Sequence, residues 1–387
     1  TLGTRGGQTV ILTGTNFGAK VGLNLQGYYG KGGKNNWYCA SNCKVTVANT
    51  EATCDTVAGI GKNHVWRLEI KNHQWFGAKS ANSPATSTSY MVPSITDVAN
   101  CPSCTNPERK EFTTYGNQDV YINGDNFGPM ADSSDNCRPS DMGAITIKYD
   151  NLWKNNDLQV HSYHQKLNCV VTIPHVQIKC KTMAGVSKDF IWTVTVSEQT
   201  SAPSSEAAGQ TTFYSIPIIQ ELRGSGAYAA NTEGGQKFYL EGDYFGPATS
   251  CAGSNKPGDY NCINYIHFET MDAVVSPSIR KIFEGVKCFV KNAQTLVECE
   301  TPVGVGKNFK YEIMVGNQPS LYNTGLTNQA SVDKEKPSYA RPVVSVLSRS
   351  QGASTTPGSP MDDVDTRGFV IDQTQTPQYA NGVIPET

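Results

Sequence analysis

One block of residues, carried three times in register, constrains this chain more than any other feature. The first copy opens at Thr4-Arg5-Gly6-Gly7-Gln8-Thr9-Val10-Ile11-Leu12 and runs on to Asn16-Phe17-Gly18. The second, TYGNQDVYINGDNFGP, starts at Thr114, and the third, TEGGQKFYLEGDYFGP, at Thr232. Each is followed by two cysteines eleven positions apart: Cys43 and Cys54, Cys169 and Cys180, Cys288 and Cys299. A Gly- and Lys-containing turn comes next, as AGIGKNHVWRLEI from Ala58, AGVSKDFIWTVTV from Ala184 and VGVGKNFKYEIMV from Val303. Each copy closes on a Tyr and a Pro: Tyr90 and Pro93, Tyr214 and Pro217, Tyr339 and Pro342. The prolines set a period of about 120 residues, so the 387 residues resolve into three equivalent units.

Inside a unit the period is two. Trp66, Leu68 and Ile70 alternate with Arg67 and Glu69, and Trp192, Val194 and Val196 alternate with Thr193 and Thr195. Tyr311, Ile313 and Val315 repeat the pattern. That alternation predicts half-buried strands with aromatic and branched residues on the core face. No long helical stretch is present. Short strands punctuated by Gly, Pro and Asn turns predict an all-β chain of packed antiparallel sheets, each unit an immunoglobulin-like sandwich. The Gly of each Asn/Tyr-Phe-Gly is expected at a turn with positive φ, its Phe tucked under the sandwich end.

The succession GGQ, apolar strand, G-x-N/Y-F-G-P, C-x10-C, G-V-G-K-x-F and Y-x-x-P resembles the IPT/TIG domain. That domain is the immunoglobulin-like module of plexins, hepatocyte-growth-factor-type receptors and fibrocystin-like surface proteins. The resemblance covers about residues 1–347 and implies three tandem sandwiches in an extended rod. It divides the chain into a first unit over 1–91 that lacks its opening strand, a second over 92–215, a third over 216–340, and a strand with a polar tail over 341–387. The motifs determine the fold and name no activity.

Twelve cysteines are more than a reducing cytosol usually tolerates, which predicts an oxidising, extracellular compartment. The thrice-repeated pair could be a disulfide or half of a metal site; the want of histidines at ligand spacing favours the disulfide. Closing a loop of about twelve residues stabilises a unit by roughly 2.5–3 kcal/mol in the chain-entropy model. Cys251 and Cys262 share a Gly/Asn/Pro-rich insertion and are expected to pair. Cys101 and Cys104 have redox spacing but precede no helix, so a local bridge is expected in place of an oxidoreductase site. Cys39 and Cys137 are left to pair across the first two units, although six cysteines allow fifteen connectivities.

The chemistry of an enzyme is missing. No nucleophile elbow, P-loop, dinucleotide fingerprint or metalloprotease helix occurs, and no catalytic, cofactor or metal site is assigned. His161 and His164 read as a solvated pair in a loop. Acidic groups at Asp132, Asp135 and Asp141, and at Asp362, Asp363 and Asp365, sit in no calcium-loop pattern. Tyr28, Tyr29, Trp37, Trp75 and Trp153 either pack loops onto the sandwich or stack on sugars or a partner. A balance of 32 basic against 34 acidic side chains gives no field for nucleic acid. The longest apolar runs are as short as Val10-Ile11-Leu12, far below the ~20 residues a membrane-spanning helix needs. No Asn begins an N-x-S/T sequon, whereas Ser/Thr/Pro-rich stretches at 80–89, 200–212 and 350–360 resemble O-glycosylated stalk sequence or are ordinary polar loops.

The ends complete the reading. The chain opens on Thr without a leader, as a processed product or a fragment does. The second and third units are each preceded by a Pro and an apolar strand, from Pro93 and Pro217, while the first has three residues before Thr4. Pro342-Val343-Val344-Ser345-Val346-Leu347 is such a strand with no complete unit after it. An unpaired sheet edge invites a strand from elsewhere. Residues 342–347, with the segment around Gly368 to Ile371, are therefore expected to complete the first unit of another copy, along Gly7-Gln8-Thr9-Val10-Ile11-Leu12. Such head-to-tail contacts build filaments. The expected role is a structural or adhesive subunit of a surface filament or coat. The alternatives are a segment of a longer tandem array and a ligand-binding ectodomain of a cell-surface receptor.

Overall fold

The structure is a computed structural model and describes residues 1–20, 24–31, 37–70, 87–105, 107–130, 145–151, 162–165, 169–248, 262–270, 282–320 and 336–344. Among these the chain is all-β, with one 3-10 turn at Pro107–Lys110. Two compact units divide it, Thr1–Arg341 and Pro342–Thr387. No helix among the described residues is long and apolar enough to cross a membrane.

In Thr1–Arg341 each sequence repeat builds its own set of sheets. The second repeat has one sheet in the order Val170–Ile173, Gln177–Lys181, Asp119–Asp125, Ser94–Ala99, and another in the order Ser162–Gln165, Thr146–Asn151, Phe190–Val196, Gln199–Thr200. The third matches it, with Val286–Asn292, Leu296–Glu300, Lys237–Asp243, Ile218–Arg223 and then Phe283–Glu284, Ile263–Thr270, Phe309–Val315, Gln318–Pro319. All of these neighbours run antiparallel; a short parallel pair, Glu111–Phe112 with Phe213–Tyr214, stands beside them. The first repeat forms a continuous five-stranded sheet in the order Thr9–Thr13, Glu51–Asp55, Trp37–Val47, Leu25–Gly30, Val65–Ile70. Its long strand changes partner midway. Tyr38 and Ala40 pair with the Leu25–Gly30 strand and Lys44 and Val45 with Glu51–Asp55, across a register shift where Asn42 takes φ 51°.

The alternating residues fill three cores. Tyr29 stacks on Trp66 at 4.5 Å between ring centres, Tyr149 on Trp192 at 4.1 Å, and Phe268 on Tyr311 at 4.8 Å, on equivalent strands. The closing tyrosine of each repeat lies in the same core and donates to a backbone carbonyl: Tyr90 to Val57 at 2.6 Å, Tyr214 to Met183 at 2.8 Å, Tyr339 to Pro302 at 2.8 Å. Burial pushes the Tyr149 hydroxyl up to about 12, although bonds to Tyr214 and Met183 pull the other way. Tyr29 is fully buried in this arrangement and is not a platform for a ligand, while Tyr28 lies under the Arg67 guanidinium at 5.1 Å. The side chain of Trp37, together with Trp75 and Trp153, lies outside the described residues.

Disulfides tie neighbouring strands at the same place in each repeat: Cys43 to Cys54, Cys169 to Cys180 and Cys288 to Cys299, with Cα separations of 4.1, 4.3 and 4.2 Å. Cys101 bonds to Cys104. Cys39 and Cys262 are disulfide-bonded, and Cys137 and Cys251 lie outside the described residues. His164 sits in the Ser162–Gln165 strand; His161 and the acidic groups at 132–141 and 362–365 also lie outside them.

Three hydroxyls of the stretch 200–212 belong to the core. Ser201 and Ser204 are buried and accept hydrogen bonds from the backbone N–H groups of Val194 and Trp192, and Thr212 accepts from the Trp192 indole at 2.9 Å. Thr88 accepts the Trp66 indole at the same distance. Hydroxyls so engaged satisfy core donors, and the buried Ser201, Ser204 and Thr212 are closed to a sugar.

Candidate functional site

The edge strand of the first repeat, Thr9–Thr13, is the feature that sets this repeat apart. Its counterparts, Asp119–Asp125 and Lys237–Asp243, are each flanked on both sides. On one side lies the strand carrying the second cysteine of the pair; on the other lies the Pro-led opening strand, Ser94–Ala99 or Ile218–Arg223. Thr9–Thr13 pairs with Glu51–Asp55 alone among the described residues. Asp55 fixes the start of this strand. Its carboxylate accepts from Thr9 at 2.6 Å and from Asn42 at 2.9 Å, bonds that hold its pKa below the usual carboxylate value.

The inward side chains feel the difference. Val120, Ile122, Phe238 and Leu240 are fully buried, because Val98, Ile219 and Leu222 of the opening strands lie beside them. At the equivalent positions Val10 and Leu12 are half-buried, and Ile11 on the outer face is 63% exposed. Among the described residues the outer side of this strand thus has no strand partner, and its apolar side chains are half-covered.

Gly14 follows the strand. In the complete repeats its counterparts are Gly124 and Gly242, where a Cβ would overlap the carbonyl oxygens of Ser94 and Ile218 on the opening strand. No such carbonyl stands at Gly14; a Cβ there would meet the ring of Phe17 at 2.6 Å. In all three repeats the ring of the Phe three residues on already excludes a Cβ at this glycine, at 2.6, 2.6 and 2.8 Å, and in the second and third the opening strand's carbonyl closes on it as well.

Of the sequence-expected donor, Pro342, Val343 and Val344 are described. They belong to the second compact unit, carry no regular structure and are exposed, Val343 by 86% and Val344 by 76%. Ser345, Val346 and Leu347, and the segment 368–371, lie outside the described residues. Among the described residues no group of three His, Cys, Asp or Glu side chains is gathered to hold a metal.

A second set of residues, which the repeats alone do not single out as functional, joins one repeat to the next. Ile60, in the Gly-Lys turn of the first repeat, belongs to the core of the second, and Val186 in the same turn of the second repeat belongs to the core of the third. The repeat alignment contains their signal, an apolar residue directly after the glycine of a polar turn.

No family model matches the chain, and no curated protein does. Among solved structures it is similar to a protein crystallised with a xylogluco-oligosaccharide, at 10% identity and a TM-score of 0.26, over 82% of this chain. The chain spans 56% of the length of that structure. A score so low carries nothing about ligand or function to this chain.

Proposed function

We propose that this protein is an extracellular structural or adhesive subunit whose three repeats are IPT/TIG-like sandwiches in series. Copies assemble head to tail, Pro342–Leu347 of one adding as the opening strand of the first repeat of the next. The observation that carries this reading is the Thr9–Thr13 edge, which among the described residues has one strand partner where its two counterparts each have a second, the opening strand. The mechanism is interfacial: main-chain hydrogen bonds supply strength and alternate side-chain pockets supply selection. A contact of this heterologous kind extends without closing, which gives a polymer. Cross-strand disulfides at the same position in every repeat fit a protein that keeps its shape in an oxidising exterior.

The internal pairings offer a register for this addition. Ser94 faces Asp125, Ile95 faces Gly124 and Val98 faces Ile122, while Ile218, Ile219 and Leu222 face Asp243, Gly242 and Leu240. Placed the same way, Val343 faces Thr15, Val344 faces Gly14 and Leu347 faces Leu12. Deleting residues 342–387 is expected to leave soluble single subunits in negative-stain micrographs and sedimentation. Val344→Asp together with Leu347→Asp in the full chain, which sets charges opposite Gly14 and Leu12 without touching the three repeats, is expected to do the same. Polymers of ordinary length from either variant would overturn the reading.

A further inference from the structure

We infer that the two ends of Thr1–Arg341 carry the two halves of one repeat-to-repeat joint, and that a second copy of this chain is the partner they fit. The inference rests on head-to-tail assembly; it concerns the joint that adjoins the Thr9–Thr13 edge at Thr15 to Gly18.

Two joints inside the chain serve as templates. In the first, Ile60 projects from the turn of repeat one against Gly128, where a Cβ would collide with it. In the second, Val186 projects in the same way against Gly246. Both are buried, Ile60 at 6% and Val186 at 1% exposure. Each receiving glycine lies in the left-handed region, at φ 88° and 87°, and sits in a backbone clasp. In the clasp Phe127 N–H donates to His175 and His175 N–H to Gly128; in the other, Phe245 donates to Gln294 and Gln294 to Gly246. The clasp residue also grips the preceding repeat: His175 Nδ1 lies 3.0 Å from the Thr4 hydroxyl, and Gln294 donates to the Thr114 carbonyl at 2.9 Å.

Both halves recur at the ends. Repeat three carries Val305 at the position of Ile60 and Val186, and there it is 69% exposed. Repeat one carries the socket already built: Gly18 at φ 85°, Phe17 N–H donating to Asn49 at 3.2 Å, and Asn49 N–H donating to Gly18 at 2.8 Å. Phe17 is half-buried, whereas Phe127 and Phe245, each with an apolar knob above, are buried.

The polar rim changes in a complementary way. At the internal joints the receiving repeat offers an acid, Asp125 or Asp243, and the preceding repeat meets it with Arg5 at 3.4 Å or a donating Tyr115 hydroxyl at 2.9 Å. On the far end of the chain that preceding position is Glu233, and on the near end the acid is replaced by Thr15. An Asp at position 15 would set two carboxylates together. A threonine there has a hydroxyl that can donate to Glu233, so Thr15 suits Glu233 where Asp125 or Asp243 would repel it.

The test places a photoreactive side chain on the knob. Full-length chain carrying Val305→p-benzoylphenylalanine is mixed with an isotopically heavy full-length copy, assembled, irradiated and mapped by mass spectrometry. The expected product is a light-to-heavy crosslink from position 305 to the peptide around Phe17-Gly18 or Asn49, lost when Gly18→Val is introduced into the heavy chain. Polymers in the micrograph with crosslinks landing elsewhere overturn the joint and leave strand addition standing. Absence of both polymers and intermolecular crosslinks at high concentration overturns the two together.

Discussion

His64 shows how a single residue departs from the plan of its repeat and what that does. Its counterparts are Phe190 and Phe309, both buried in aromatic cores. His64 occupies the same site, edge-on to Tyr38 at 5.5 Å and to Tyr90 at 5.6 Å, with Nε2 3.0 Å from the Ile60 carbonyl. Burial holds its pKa below the ordinary 6.5, outweighing the backbone bonds that favour the charged ring. The unfolded chain therefore binds a proton that the folded chain resists as pH falls through about 6.5. Stability from this group is present above that value and lost below it, by at most ~1.4 kcal/mol per pH unit for one proton. His64→Phe is expected to flatten this dependence: melting temperatures followed from pH 8 to pH 5 should converge at the top and separate at the bottom. A variant whose melting curve falls as steeply as the parent's would show that the proton enters elsewhere. Tyr244 departs in another way, taking φ 65° where the other repeats have Asn16 and Asn126. Its ring meets Tyr115 across the second joint at 6.3 Å between centres, a contact asparagine could not make.

At the scale of strands and bridges, the sequence was legible wherever three copies could be laid side by side. The alternation from Trp66, Trp192 and Tyr311 marks core-facing strands because a half-buried strand admits no other period. The cysteine spacing matches bridges that tie adjacent antiparallel strands. What composition obscured were serine and threonine residues with a partner distant in sequence. Thr88 and Thr212 read as stalk, yet each closes the hydrogen bond of an indole 22 or 20 positions earlier. The spacing from tryptophan to threonine, nearly equal in the two repeats, was the available signal. The glycine three residues before each Phe could be read as a turn, but the carbonyls of Ser94 and Ile218 closing on Gly124 and Gly242 have no signal in the sequence. The bridges carry their own prediction. Replacing Cys169 and Cys180 together by alanine is expected to cost roughly 2.5–3 kcal/mol in urea unfolding, as closing a loop of about twelve residues implies. The Cys101 and Cys104 pair closes a far shorter loop, so its removal should cost less; equal losses would speak against a loop-entropy origin.

At the scale of the molecule, the three cores are separate clusters that share side chains at their joints. Ile60 and Val186 are each contributed by one repeat to the core of the next, and Gln199 and Gln318 reach back to donate to the carbonyls of Tyr90 and Tyr214, both at 2.9 Å. A domain boundary drawn at the closing tyrosines therefore cuts through packing. Units tied in this way obey nearest-neighbour energetics, in which each repeat's stability includes what its neighbour inserts. Val186→Ala removes two buried methyl groups and is expected to cost about 1–3 kcal/mol, counting the cavity left behind. The loss should fall on the coupling between repeats two and three, so calorimetry should show the last transition separating from the rest. Val305→Ala makes the same chemical change at the same position of repeat three, where the side chain is exposed, and should leave the melting of unassembled subunits within ~0.5 kcal/mol of the parent. The pair isolates the environment from the residue. If both variants melt alike, the apolar turn residue stabilises its own repeat and not the joint. If Val186→Ala alone is weakened, and Val305→Ala becomes weak only in assembled material, one joint serves both within the chain and between chains.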